Sequence, residues 1–308
     1  MEEILRLFPD SIKKVIERHT LHRQHALQEI RVRLFRPIEL IFDGHAEWLK
    51  STIPYKRDGV HILNQISDFS LYRMEDELRE GYVTIEGGHR VGLAGKVNTL
   101  NGSVKAIQHI AYFNIRIAKQ KIGCAEKLIP FLHQESYLNT LIVGPPQSGK
   151  TTLIRDVIRL ISTGWGRNVG YKVGVIDERS EIAGSKKGVP QHDIGLRTDV
   201  MDACPKAEGM MMMIRSMSPE ILAVDEIGGN SDVEALMEAI NAGVTIMCTI
   251  HGKSLAELQK RPSLKVLFQA DIFQRVVILD RYGQPGQLHQ IMNQRGETIY
   301  RETGVLGR

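Results

Sequence analysis

One octapeptide constrains this chain more than any other feature: Gly144-Pro145-Pro146-Gln147-Ser148-Gly149-Lys150-Thr151, with the spacing G-x-x-x-x-G-K-[ST]. The apolar run 140–143 before it reads as a short buried strand. After it, Leu153, Ile154, Val157, Ile158 and Ile161 recur at helical spacing. Strand, glycine loop and helix in that order make a phosphate cradle. Successive backbone N–H groups at the helix start form a concave nest, and the helix dipole adds positive potential there. Pro145 and Pro146 carry no N–H and shape only the start of the loop. The cradle therefore runs from Gln147 through Ser148, Gly149, Lys150 and Thr151 to Thr152. Gly149 admits close approach, Lys150 reaches the β- and γ-phosphates, and the Thr151 hydroxyl is a ligand for Mg²⁺. The expectation is a nucleotide site with Mg²⁺.

From residue 125 onward strands and helices alternate, the signature of an α/β fold with a mainly parallel sheet. Strands are expected at 140–143, 173–177, 221–225, 244–249 and 276–279, and a helix at 231–242 capped by Asn230 or Ser231. The methionines at 210–213 read as one or two turns of a buried helix. Residues 1–118 are expected to form a smaller α+β domain, 119–124 a linker, and 125–308 the main domain. In the smaller domain, 1–30 reads as helical. His19, His22 and His25 then fall three apart, either as a metal site or, the favoured reading, as a solvated polar face. A strand, turn and strand span 29–42, closed by Asp43-Gly44. Helices are expected at 60–63, 67–72 and 74–79, and a hairpin over 82–97 around Gly87-Gly88. A turn at Asn101-Gly102 leads to strands at 103–107 and 114–118.

The strand at 221–225 delivers Asp225 and Glu226 at its carboxyl end, the edge where parallel α/β sheets bind ligands. Asp225 is expected to hold Mg²⁺, directly or through water, and Glu226 to orient and polarise the attacking water. Asp177, Glu178 and Glu181 repeat the arrangement on a second strand, so Glu178 competes with Glu226 for the general-base role. Thr249 and His251 end a third strand, with His251 a candidate γ-phosphate sensor. Charge developing during transfer needs cations. Arg179, Arg197 and Arg215 are expected in the loops and helices around the site, and an arginine acting from a neighbouring subunit would require an oligomer. Arg90 and Arg116 lie in strand-like segments among apolar residues, where an arginine pairs with a carboxylate or faces an anion.

Composition narrows the function classes. The chain has 308 residues, enough for two cores. Its net charge is only +4, from 40 basic and 36 acidic residues, and it contains no basic block. With aromatics at 6%, a nucleic-acid motor lacks its stacking channel, so no nucleic-acid partner is expected. No run of about 18 apolar residues occurs to span a membrane. The acidic start, MEEILRLFPD, is unlike a secretory signal, so a cytoplasmic protein is expected. Cys124, Cys204 and Cys248 have no metal-ligand spacing and read as small buried hydrophobes in a reducing compartment.

Longer segments carry a resemblance. GPPQSGKTTLIRDV, VIDERSEIAG, RTDVMDACPKAEGMMMMIRSMSPEILAVDEIG and AGVTIMCTIHG, with EIRVRLFRPIEL and GYVTIEGGHRVGLAGKV nearer the N-terminus, resemble the stage III sporulation protein AA family of endospore-forming bacteria. The resemblance covers nearly the whole chain. That family is similar to the hexameric ATPases of type II and type IV secretion and pilus assembly. The implied fold is a RecA-like P-loop ATPase core with a smaller N-terminal α+β domain that swings against it.

The implied nucleotide is ATP, and the implied function is that of a mother-cell ATPase, a ring taken as a hexamer, serving a membrane-associated channel complex that joins mother cell and forespore. Carried over, Gly144 to Thr151 are the Walker A positions and Asp177, Glu178 and Glu181 an acidic box. Glu226 is the Walker B glutamate, and Thr249 and His251 a histidine box. Arg90 and Arg116 become the N-domain arginines that reach nucleotide. Walker B here reads Val-Asp-Glu-Ile-Gly-Gly, where secretion ATPases usually have Gly before the Glu and Arg-Asp after it. The four-cysteine zinc module that some of them carry has no counterpart, so no metal beyond Mg²⁺ is expected. Two other readings stand beside this one: a nucleotide-gated scaffold with little turnover, and a nucleic-acid-dependent RecA-like motor.

Overall fold

The computed structural model describes residues 1–67, 78–79, 81–100, 102–280 and 286–302. The chain divides into two compact units, Met1–Lys119 and Gln120–Arg308.

In the first unit, helices α1 (Glu2–Leu5), α2 (Asp10–Thr20) and α3 (Lys56–Ile66) accompany an antiparallel sheet of six strands. The strands are β1 (Leu27–Arg33), β2 (Ile38–Phe42), β3 (His45–Leu49), β4 (Tyr82–Thr84), β5 (Arg90–Leu100) and β6 (Ser103–Arg116), in the order β3-β2-β1-β6-β5-β4. Alternation drives it: Ile30, Val32, Leu40, Val91, Leu93, Phe113 and Ile115 face one core with the α1–α2 residues Ile4, Leu5, Ile12 and Ile16.

The expected helix over 1–30 stops at Thr20, because Leu27 already begins a strand. His22 and His25 therefore lie beyond the helix, where they join no ligand set. Among the described residues no group of His, Cys, Asp or Glu is arranged to hold a metal ion. The two strands expected at 103–107 and 114–118 are one. The intervening residues stay in β6 through a register shift between Ala94 and Lys96. His109 takes φ 47° there, and a Cβ on Gly95 would come within 2.6 Å of the His109 carbonyl oxygen. The helices expected at 67–72 and 74–79 fall largely outside the described residues, as does Asn101 of the expected turn.

The second unit is an eight-stranded sheet. Its strands are β7 (Thr140–Gly144), β8 (Val173–Asp177), β9 (Thr198–Asp202), β10 (Ile221–Val224), β11 (Thr245–His251), β12 (Arg275–Leu279), β13 (Leu288–Asn293) and β14 (Thr298–Arg301). They run in the order β14-β13-β12-β7-β11-β10-β8-β9. The six from β12 to β9 are parallel, and β13 and β14 add antiparallel. Helix α4 (Lys150–Thr163) and the 125–138 segment cover one face. Helices α5 (Lys206–Met217), α6 (Asn230–Asn241), α7 (Leu255–Leu258) and α8 (Lys265–Gln269) cover the other. With both faces covered, every residue of β7, β8 and β10 is buried, which explains their unbroken apolar runs.

Met210 and Met213 are buried in α5, while Met212 is exposed. Gly229, not Asn230 or Ser231, is the cap of α6. Asp232 folds back to accept the Gly228 and Gly229 N–H groups at 3.0 and 3.1 Å.

Candidate nucleotide site

Four neighbouring strands deliver the site at one edge of the parallel sheet. Gly144, ending β7, stands opposite His251, ending β11. The next strand, β10, runs into Asp225 and Glu226, and β8 beyond it ends at Asp177 and runs into Glu178. The loop between β7 and α4 turns through left-handed backbone at Gln147 (φ 64°) and Gly149 (φ 87°), which curves its N–H groups into a nest. It folds so tightly that a Cβ on Gly144 would collide with Ser148 Oγ. That hydroxyl is buried without a hydrogen-bond partner in the protein, as suits a cradle for a polar ligand.

Lys150 is 4% exposed. Its Nζ donates to the Gly144 and Pro145 carbonyls at 3.0 Å each and lies 2.9 Å from His251 Nδ1. An ammonium only donates, so Nδ1 accepts and Nε2 carries the proton it gives to Glu226 Oε1. Arg179 holds the other carboxylate oxygen of Glu226 at 2.8 Å. Burial pulls the Lys150 pKa below its ordinary value, against the opposing pull of Asp225, Glu226 and Glu181. The result is one connected chain, Lys150–His251–Glu226–Arg179.

A second chain fixes the strand ends. Thr151 Oγ1 donates to Asp225 Oδ2 at 2.9 Å, and Thr249 Oγ1 donates to Asp225 Oδ1. Thr249 Oγ1 also accepts the Glu226 N–H at 2.9 Å. Glu226 itself takes φ 52°, a strained conformation for a side chain with a Cβ, and the threonine helps hold it there. The Thr151 hydroxyl and Asp225 carboxylate converge as hard oxygen donors, which fits Mg²⁺.

Asp177, 1% exposed, accepts the N–H groups of Glu181 and Ala183 at 2.8 Å each. Burial nonetheless pushes its pKa up to about 6. Glu178 is ion-paired with Lys206 at the start of α5. Arg155, buried in α4, donates to the Ile182 and Glu181 carbonyls and anchors this acidic turn. Lys206, Arg155, Ser180 and Asp202 were not anticipated from sequence. The signal for Arg155 was a charge directly after the apolar Leu153-Ile154 pair, on a helix whose sequence is KTTLIRDVIRLIST. The Ser180–Asp202 hydrogen bond at 2.5 Å depends on β9, whose polar TDVMD run gives no strand signal.

Of the arginines expected around this rim, only Arg179 is there. Arg197 precedes β9 and bonds Gly170 O, at the opposite, amino edge of the sheet. Arg215 stands nine residues after Lys206 along α5, about 13 Å toward that same far edge. Arg90 and Arg116 belong to the first unit, where they are cross-strand partners. Arg116 Nε lies 3.6 Å from Glu29 Oε1, and the Arg90 guanidinium lies 3.4 Å over the Tyr82 ring.

The family model for sporulation stage III, protein AA, matches residues 1–299. The chain is 52% identical over 305 residues to stage III sporulation protein AA of Bacillus subtilis (strain 168), covering 99% of each chain. Among solved structures it is similar to the pilus retraction motor PilT with bound ADP, at TM-score 0.59 and 17% identity over 86% of this chain and 77% of that one. The ATPase DotB of Legionella pneumophila aligns at TM-score 0.58 and 15% identity, over 86% and 75%. These two likenesses show the fold: an α/β architecture with a RecA-like P-loop core.

Proposed function

The chain belongs to the sporulation stage III protein AA family, and on that premise we propose that it is a Mg²⁺-dependent ATPase converting ATP and water to ADP and phosphate. Its turnover would drive assembly of, or transport through, a membrane channel between mother cell and forespore. The observation that carries the reading is the chain Lys150–His251–Glu226–Arg179, which ties the phosphate loop to an acid on the strand two places away.

The roles follow from the chemistry of each group. The nest from Gln147 to Thr152 cradles phosphate oxygens, and Lys150 places a buried cation beside them. Thr151 and Asp225 would hold Mg²⁺, which supplies charge neutralisation on the phosphate oxygens when bound. Glu226 orients the attacking water and accepts its proton; Glu178, held by Lys206, is the second candidate for that role. His251 can release Lys150 and Glu226 from one another and donate toward the terminal phosphate. Arg179 is the arginine of the expected set on this chain's own rim, where it holds Glu226. An arginine acting from a neighbouring subunit, with Arg90, Arg116, Arg197 and Arg215 as candidates, completes the site in a homo-oligomer, a hexamer by analogy with the secretion ATPases.

In this reading the N-terminal domain, 1–118, moves against the ATPase domain, 125–308, about the 119–124 linker. Partners are membrane-associated sporulation channel proteins, and the protein works in the mother-cell cytoplasm, held to the membrane through them. No helix among the described residues is long and apolar enough to cross a membrane.

Steady-state Mg²⁺-ATPase activity across a protein concentration series tests the proposal. Specific activity that rises cooperatively with concentration supports hydrolysis completed between subunits. Bound ATP without turnover, in the presence of the membrane partner, would instead favour a nucleotide-gated scaffold. Stimulation by single-stranded nucleic acid would favour the nucleic-acid motor.

A further inference from the structure

The charged chain occupies one flank of β7, toward β11, β10 and β8. On the other flank, toward β12 and β13, lies a cavity of about 460 Å³. Its lining includes Lys121, Cys124, Glu126, Leu288, Tyr300 and Glu302. That volume falls within the roughly 300–1,000 Å³ of small-ligand clefts. Two contacts join its walls to the phosphate loop. Gly286 N–H donates to the Ser148 carbonyl at 2.9 Å, and Cys124 Sγ lies 3.7 Å from the Thr152 carbonyl in the first turn of α4.

We propose that this cavity seats the nucleoside half, base and ribose, of the bound nucleotide, an inference that rests on the ATPase reading. A nucleotide carries its reacting phosphate and its base at opposite ends. With the terminal phosphate drawn toward Lys150, His251 and Glu226, the remainder of the molecule leaves the loop on the β12–β13 flank. The chemistry of the lining suits a nucleoside. The half-buried Tyr300 ring is braced by Phe131, with centroids 5.5 Å apart, and offers a firm aromatic wall for a base. Leu288 adds apolar surface. Glu126 and Glu302 supply acceptors for ribose hydroxyls. The hairpin of β13 and β14 thereby gains a purpose, since it carries Leu288 and Tyr300 to the cavity wall.

Cys124 makes the assignment testable in the full-length chain. Cys248 is fully buried, so Cys204→Ser leaves Cys124 as the accessible thiol. Burial, aided by Asp156, pushes that thiol up to about 11, so alkylation by iodoacetamide is followed at about pH 9. The rate is measured alone, with saturating Mg-ADP and with saturating Mg-tripolyphosphate, beside calorimetric binding of both to the Tyr300→Ala chain.

The expected result is alkylation slowed about tenfold or more by ADP and little by tripolyphosphate. Tyr300→Ala should weaken ADP about tenfold, the scale of one lost base stack, and leave tripolyphosphate unchanged. Equal protection by the two ligands would overturn the assignment, because phosphates alone would then explain it. ADP that binds without protecting Cys124 or responding to Tyr300→Ala would overturn it too, while leaving the ATPase reading intact. A chain that binds neither ligand overturns both.

Discussion

On the β11 side of the phosphate loop, charged side chains close on one another through short hydrogen bonds; on the β12 side, a cavity of about 460 Å³ stays open beside an aromatic wall. The two flanks share one loop and one sheet edge, yet the proposed function gives them different tasks. The charged flank is wired in advance: Lys150, His251, Glu226 and Arg179 each hold a neighbour, so their dipoles are oriented before any reaction begins. The open flank sets an aromatic ring and an apolar side chain among its polar groups and leaves room between them. Polar wiring belongs where charge changes, and shaped space belongs where a molecule is only held.

Substitutions that separate the flanks should differ in kind as well as size. Lys150→Ala removes the cation that anchors the charged flank, and it should lower ATP turnover by about 10³-fold or more while also weakening ATP binding. Side-by-side kinetics and equilibrium binding would check both effects. His251→Ala cuts the link between Lys150 and Glu226. Turnover should fall about a hundredfold with KM within a few-fold of the parent, since the loss falls on the chemical step. A change confined to KM would move His251 to the binding side of the comparison.

Thr249→Val keeps the shape but leaves the Glu226 N–H unpaired and Asp225 without one donor. A loss of about tenfold in kcat is expected, in keeping with one misplaced hydrogen-bonded group. The smallest effect concerns stability. The Asp177 pKa rises from 3.8 to about 6 on folding, so the folded chain holds more protons between those values. Stability from this group is therefore fully present below about pH 4 and is lost as pH rises through about 6. Denaturant unfolding at several pH values should show that slope, and Asp177→Asn should remove it.

The loop and the strand-end acids were legible in the sequence because their signals are local. A glycine loop between an apolar strand and an amphipathic helix, and acids directly after apolar runs, need no knowledge of distant residues. The parallel strands at 173–177 and 221–225 were legible for the same reason: burial on both faces writes an unbroken apolar run. What escaped depends on long-range geometry. β9 is a polar strand recruited by pairing with β8, and Arg155 acts through carbonyls 26 and 27 residues away. Arg197 and Arg215 neighbour the site along the chain, and that proximity alone suggested a place in it. The direction of β9 and α5 puts them at the other edge of the sheet. In the first unit, the His19, His22 and His25 periodicity was real but the helix ended too soon to use it.

The central claim, that the charged flank performs hydrolysis, is tested most directly by Glu226→Gln. ATP binding and single-turnover hydrolysis would be measured on the same preparation, beside the parent chain. The account predicts ATP affinity within a few-fold of the parent and hydrolysis slower by about 10²–10⁴-fold, the range of a lost general base. Hydrolysis at the parental rate in the Glu226→Gln chain would contradict it and remove Glu226 from the chemistry.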